Sequence, residues 1–145
     1  MRVLFVEDNE VNRRVVKEML RAGGVDMAEA EDGRAGLEMI EAHDYDIILM
    51  DLRMPGMDGM TAIRHLRARS DAKAGLPVIV VTADDGPTID ADCRAAGADE
   101  VLHKPISMAS LFATIGEILA QRGDSSDPAG LTPQASSALS PNEAQ

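Results

Sequence analysis

The stretch from Ile47 to Gly59, Ile-Ile-Leu-Met-Asp-Leu-Arg-Met-Pro-Gly-Met-Asp-Gly, constrains the fold more than any other part of the chain. Ile47 to Met50 run apolar without alternation, as a strand buried on both faces of a parallel sheet does. Asp51 stops the run, and Pro55 and Gly56 break regular structure just beyond it. One carboxylate therefore stands where a buried strand surfaces. In open α/β sheets, ligands bind at the carboxyl ends of the strands. The competing reading is that Asp51 merely ends a strand, and the rest of the chain decides between the two.

The pattern repeats along the chain. Arg2 to Val6 reads as a first buried strand ending in Glu7-Asp8-Asn9. Asn9 or Asp8 can cap a following helix whose apolar face is Val11, Val15, Val16, Met19 and Leu20. Gly23-Gly24 ends that helix. Val25 to Ala30 is a short, edge-like second strand, and Glu31-Asp32-Gly33 turns into a second helix with Leu37, Met39 and Ile40 inward. After the central strand, 46–50, and its loop, Met60 to Arg69 is an amphipathic third helix. It carries Ile63 and Leu66 on one side and Arg64, Arg67 and Arg69 on the other. Ser70 to Gly75 reads as a polar linker and Pro77 to Val81 as the fourth strand. The fourth helix is placed at 87–96; Gly86, Pro87, Thr88, Asp90 and Asp92 make it the poorest helix former of the set. Glu100 to His103 is a short fifth strand, and Ser107 caps a last helix carrying Leu111, Phe112, Ile115, Ile118 and Leu119.

Five strands alternating with five helices over residues 1–122 specify an α/β fold: a doubly wound five-stranded parallel sheet, with strand order 2-1-3-4-5 expected at this size. From residue 123 to 145 the composition shifts to Ser, Pro, Ala and Gly with no Lys or Arg, and a disordered tail is expected there. The net charge of −11 argues against nucleic acid and against anionic membrane as direct partners. No apolar run approaches the ~18 residues of a membrane span, and no signal-peptide pattern opens the chain. The single cysteine, Cys93, cannot make an internal disulfide; it is expected to be a packing residue, consistent with a cytoplasmic location.

The residues that follow the strands carry the chemistry. Glu7 and Asp8 follow the first strand, Asp51 the third, Thr82 the fourth and Lys104 the fifth. With the first and third strands adjacent, three carboxylates converge in one crevice and repel one another. A hard divalent cation relieves that repulsion, and an all-oxygen site with few protein ligands suits Mg²⁺. Lys104 adds a positive charge and Thr82 a hydroxyl donor, which completes a cradle for a phosphoryl group with Asp51 as nucleophile. No glycine-rich nucleotide loop follows the first strand.

Four motifs in this order resemble the receiver domain of two-component response regulators. They are Val-Glu-Asp-Asn at 6–9, Met-Asp-Leu-Arg-Met-Pro-Gly-Met-Asp-Gly at 50–59, Val-Thr-Ala at 81–83 and His-Lys-Pro at 103–105. The resemblance covers about residues 2–121 and implies the flavodoxin-like receiver fold. It implies that Asp51 accepts a phosphoryl group from a phosphohistidine on a histidine kinase or histidine phosphotransfer protein. It further implies Mg²⁺ binding through Asp8, Asp51 and the backbone carbonyl of Arg53, with Glu7 acting through water. Thr82 and Lys104 would read the phosphorylation state, and the Lys104-Pro105 bond would be cis. Asn-Glu-Val-Asn at 9–12 is most similar to receivers of hybrid kinases or of free-standing single-domain regulators.

The chain departs from the family pattern in three places. Val101 stands where the family carries a Tyr or Phe that moves inward when the threonine engages phosphate. His103 shares Val101's side of the strand and is a candidate for part of the missing ring function, against a plain exposed histidine. The acidic, Pro-containing segment 84–92 predicts a mobile fourth helix. Arg53 and Asp84, each two residues beyond a site residue, are expected to approach across the crevice, at least half exposed, and to modulate hydrolysis of the acyl phosphate. His43 and His65 are expected on solvated faces, and Met54, Met57 and Met60 as packing.

The expected whole is a single-domain phosphorylation switch without an output domain of its own. Its downstream protein target would dock on the face of helix 4, strand 5 and helix 5. A Mg²⁺-dependent aspartyl-phosphate phosphohydrolase is the alternative, disfavoured because such enzymes favour an acid where Arg53 stands. A phosphorylation-independent pseudo-receiver is disfavoured by the complete set of five site residues.

Overall fold

The computed structural model describes residues 1–122; the tail expected over 123–145 lies outside them. The elements are β1 Arg2–Val6, α1 Glu10–Ala22, β2 Asp26–Ala30, α2 Gly33–Ala42, β3 Ile47–Asp51 and α3 Gly59–Arg67. A 3₁₀ turn, Ala72–Gly75, leads into β4 Val78–Thr82, α4 Ile89–Ala96, β5 Glu100–His103 and α5 Met108–Gln121. All strand pairs are parallel in the order β2-β1-β3-β4-β5, the arrangement the alternating pattern predicts.

The central strands are aliphatic because neither face meets water: every residue of β3 and β4 is buried. Their side chains divide by parity. Leu4, Val6, Ile48, Met50, Val78 and Val80 pack under α2, α3 and α4, where Ile40, Ile63, Leu66 and Cys93 meet them. Val3, Phe5, Ile47, Leu49, Ile79 and Val81 pack under α1 and α5, against Val16, Leu20, Leu111 and Ile115. Each fully buried side chain of this kind contributes roughly 1.5–3 kcal/mol by leaving water. Cys93 is a packing residue; burial pushes its thiol pKa up, and Asp90, Asp92 and Asp84 act in the same direction.

Four helices begin on side-chain caps. Asn9, Asp32, Asp58 and Ser107 accept from Asn12, Ala35, Thr61 and Ser110 N–H groups at 2.8–3.0 Å. Asn9, and not Asp8, caps α1, which leaves the Asp8 carboxylate to the sheet edge. α4 begins at Ile89, after a Thr88 that makes no side-chain cap bond, and is shorter than the expected 87–96, with Pro87 outside its first turn.

Several details differ from the sequence reading. Val11 and Val15 are exposed, so the buried stripe of α1 is narrower than the apolar spacing indicated. Arg13 joins Val16 and Leu20 on it, with a side chain only 12% exposed. Arg67 does not face water with Arg64. Its guanidinium donates to the carbonyls of Gly97, Ala74 and Leu76 and to Asp99, fastening α3 to the segments around β4 and β5. The linker at 70–75 folds into the 3₁₀ turn, and β3 and β4 each run one residue further, taking in Asp51 and Thr82.

Candidate functional site

Strand parity decides which polar groups meet. Phe5 and Leu49 pack on the α1/α5 side, and Leu102 packs against the same cluster. Glu7, Asp51 and Lys104 each stand two residues further on and continue that side. Val80 packs on the opposite side, and Thr82 continues it. These four residues share one sheet edge, but Glu7, Asp51 and Lys104 stand together and Thr82 stands across from them.

Glu7 and Asp51 are buried, and the Lys104 ammonium lies between them, 3.0 Å from Glu7 Oε1 and 3.4 Å from Asp51 Oδ1. Burial disfavours the ammonium, but the Glu7 hydrogen bond and the charges of Asp51 and Glu7 outweigh it, and the Lys104 pKa is raised above the ordinary lysine value. Asp8 is exposed beside them; one oxygen from each of Glu7, Asp8 and Asp51 lies within 4.8 Å of the others. Three carboxylates facing one ammonium leave a local excess of negative charge. This oxygen-only donor set, open to solvent on one side, fits a hard cation that keeps several waters, as Mg²⁺ does.

The loop after β3 borders the site. Gly56 has φ +78°, a conformation that a side chain disfavours, and Gly59 N–H donates to Leu52 carbonyl at 3.0 Å. A Cβ on Gly59 would run into the Asp51 carbonyl oxygen, so only glycine lets α3 start this close to β3. Arg53 lines the same cleft as Glu7, Asp8, Asp51 and Lys104. Its guanidinium reaches Asp84 at 3.0 Å from Nε and 2.6 Å from Nη2, as expected. Asp84 raises the Arg53 pKa through that hydrogen bond. Arg53 is largely exposed, whereas Asp84 is less exposed than anticipated, at 29% of its side chain.

Thr82 is buried, and its Oγ1 accepts from Asp84 N–H at 3.0 Å, which ties the end of β4 to the loop before α4. Val101 packs into the α2–α4 core layer. His103 is exposed and lies on Val101's side of β5, where its Nε2 meets Asp90 Oδ1 of α4 at 2.8 Å. The Lys104-Pro105 bond is cis. His43 and His65 are exposed, while Met54 is buried and Met57 and Met60 pack against the same layer. No helix among the described residues is long and apolar enough to cross a membrane.

Sequence reasoning passed over Asn12, whose Nδ2 lies 3.5 Å from Glu7 Oε1, and Arg13, whose Nη1 donates to the Glu7 carbonyl at 2.7 Å. The available signal was Arg13's spacing: it stands three residues before Val16 and seven before Leu20 on one helical stripe. A cation on an inward stripe requires partners there.

Comparison with known proteins agrees with this geometry. The chain is 34% identical over 119 residues to chemotaxis protein CheY-3 of Vibrio cholerae, covering 81% of this chain and 91% of that one. It is 32% identical over 130 residues to the sensory/regulatory protein RpfC of Xanthomonas campestris, covering 89% of this chain but 18% of that much longer protein. Among solved structures, the receiver domain of the sensor histidine kinase PA1611 from Pseudomonas aeruginosa superposes with a TM-score of 0.75 at 34% identity. That match covers 82% of this chain and 97% of the other, and the Pseudomonas structure holds a magnesium ion in its active site cleft. The family model described as the response regulator receiver domain matches residues 3–116, and the chain accordingly belongs to the receiver domain family of two-component signalling.

Proposed function

We propose that the chain is a phosphorylation-dependent switch in which Asp51 accepts a phosphoryl group from a phosphohistidine. The observation that carries this is the buried Asp51 carboxylate at the end of β3, joined to Lys104 and clustered with Glu7 and Asp8. Glu7, Asp8, Asp51 and the Arg53 carbonyl would hold Mg²⁺, Glu7 acting through water. When bound, the ion supplies charge neutralisation for the phosphoryl oxygens. An Asp51 carboxylate oxygen forms the bond to phosphorus as the phosphorus–nitrogen bond of the donor breaks, and the imidazole leaves with that electron pair. Lys104, already beside Asp51, places its ammonium against the added negative charge. Thr82, which continues the opposite face of the sheet and accepts from Asp84 N–H, would turn toward a phosphoryl oxygen to donate its hydroxyl proton and give up that bond in doing so.

Breaking the Thr82–Asp84 bond would loosen the entry to α4, so the face of α4, β5 and α5 is the surface a downstream target would read. The donor would be a histidine kinase or histidine phosphotransfer protein, in keeping with relatives that include a sensory protein and a sensor histidine kinase receiver. The family acts as a switch, and the chemistry proposed is limited to the chain's own phosphorylation and its reversal.

Intact mass after incubation with acetyl phosphate tests this, with and without Mg²⁺, on the wild type and Asp51→Asn. A single phosphoryl increment that needs both Mg²⁺ and Asp51 is expected. No increment and no released phosphate would indicate a pseudo-receiver. Steady phosphate release without accumulation would indicate a phosphohydrolase.

A further inference from the structure

We infer that Arg13 is a positioning residue for the acidic pair Glu7–Asp8, acting through the peptide between them; the inference rests on the proposed Mg²⁺ site. The backbone of Glu7 is held on both sides. Its N–H donates to the Ala30 carbonyl of β2 at 3.0 Å, and its carbonyl accepts from Arg13 Nη1 at 2.7 Å. The second bond orients the Glu7–Asp8 peptide. Asp8 is exposed, so packing does not set its carboxylate, and the peptide that carries it does.

Arg13 is itself held. Its Nε donates to Glu29 Oε1 at 2.9 Å, and Lys17 Nζ donates to the other Glu29 oxygen at 3.0 Å. The Lys17 bond, acting against burial and joined by Arg13, holds the Glu29 carboxyl below its ordinary pKa. Glu29 sits on β2 opposite Phe5 of β1. The chain of contacts therefore runs from the edge strand through the first turns of α1 to the turn bearing two of the three clustered acids. The planar guanidinium serves Glu7 and Glu29 at once through donors at a fixed angle, which a single ammonium does not reproduce.

Charge and positioning predict opposite signs here. Removing a cation near the site strengthens Mg²⁺ binding on charge alone. Releasing the Glu7–Asp8 peptide weakens it, and losing a partner that orients metal ligands typically lowers affinity by ~10–100-fold.

The test is Mg²⁺ affinity by titration calorimetry on the full chain, for wild type, Arg13→Met, Arg13→Lys and Asp8→Asn, with circular dichroism confirming that each is folded. The expected result is binding by wild type, none by Asp8→Asn, a loss of ~10-fold or more in Arg13→Met and a smaller loss in Arg13→Lys. Arg13→Lys keeps the charge, so its weakening supports the inference even if Arg13→Met does not fold. Wild-type binding abolished by Asp8→Asn but unchanged in the folded Arg13 variants overturns the inference and leaves the metal site standing. A wild type that binds no Mg²⁺ overturns both.

Discussion

Lys104→Met removes the one ammonium between Glu7 and Asp51 while keeping an apolar stem of similar length. Glu7 is 1% exposed, so its carboxylate has no water to replace the lost partner. Carboxylate oxygens of Glu7 and Asp51 lie within 4.8 Å of each other. Two charges at that distance and an effective dielectric of ~20 repel by about 3.5 kcal/mol. Breaking a buried pair typically costs ~3–5 kcal/mol, and because Lys104 itself is 24% exposed, a net loss of about 2–3 kcal/mol is expected. For a domain of this size that lowers Tm by roughly 10 °C.

The signature lies in what restores the variant. Without the ammonium the cluster carries one more unit of negative charge, so Mg²⁺ should stabilise the variant more than the wild type. Ligand at ~100 times its Kd contributes about 2.7 kcal/mol, enough to offset the loss. Urea unfolding of both proteins at neutral pH, in EDTA and in Mg²⁺, measures this directly. A variant as stable as wild type in EDTA, or one that Mg²⁺ stabilises no more than wild type, would refute the reasoning. The wild type has a matching pH dependence. Because the folded Lys104 pKa is raised, its contribution is complete below the unfolded value of 10.5 and is lost as pH rises through the higher folded value, so alkaline unfolding should begin there and be weaker in Lys104→Met.

The surface and edge groups yield three further expectations. Arg53→Ala and Asp84→Ala should each change the decay rate of the phosphorylated protein, followed by intact mass, while leaving the unfolding midpoint nearly unchanged, since the Arg53 end of the bridge is solvent-exposed. Hydrogen exchange should show α4, which lacks a side-chain cap and is tied to β5 by the exposed His103–Asp90 contact, exchanging well before β3. Asp90→Ala should widen that difference, and α4 protection equal to β3 would contradict it. Glu29 has a lowered folded pKa, so its contribution is present above 4.5 and lost as pH falls through the folded value. Glu29→Gln should flatten that acid limb of the unfolding curve.

How far these properties were legible in the sequence depends on the range of the interactions behind them. The unbroken runs at 47–50 and 78–81, the caps at Asn9 and Ser107, and the acids, threonine and lysine at strand ends follow from local rules of burial, capping and termination. They were enough to identify the strands and the sheet edge on which the polar groups emerge, because each strand's burial is written in its own run; the strand order came from the fold expected of five alternating units. The tertiary structure decided the rest. That Glu7 and Lys104 meet across 97 residues, that Thr82 falls on the other side of the sheet, and that His103 meets α4 follow from strand parity and register once the strands are neighbours. Val11 and Val15 face water while Arg13 is drawn inward, because Glu7's carbonyl and Glu29 await it beside β1 and β2. A helical periodicity records which residues are apolar. Only the packed sheet supplies the partners that make burying a guanidinium favourable.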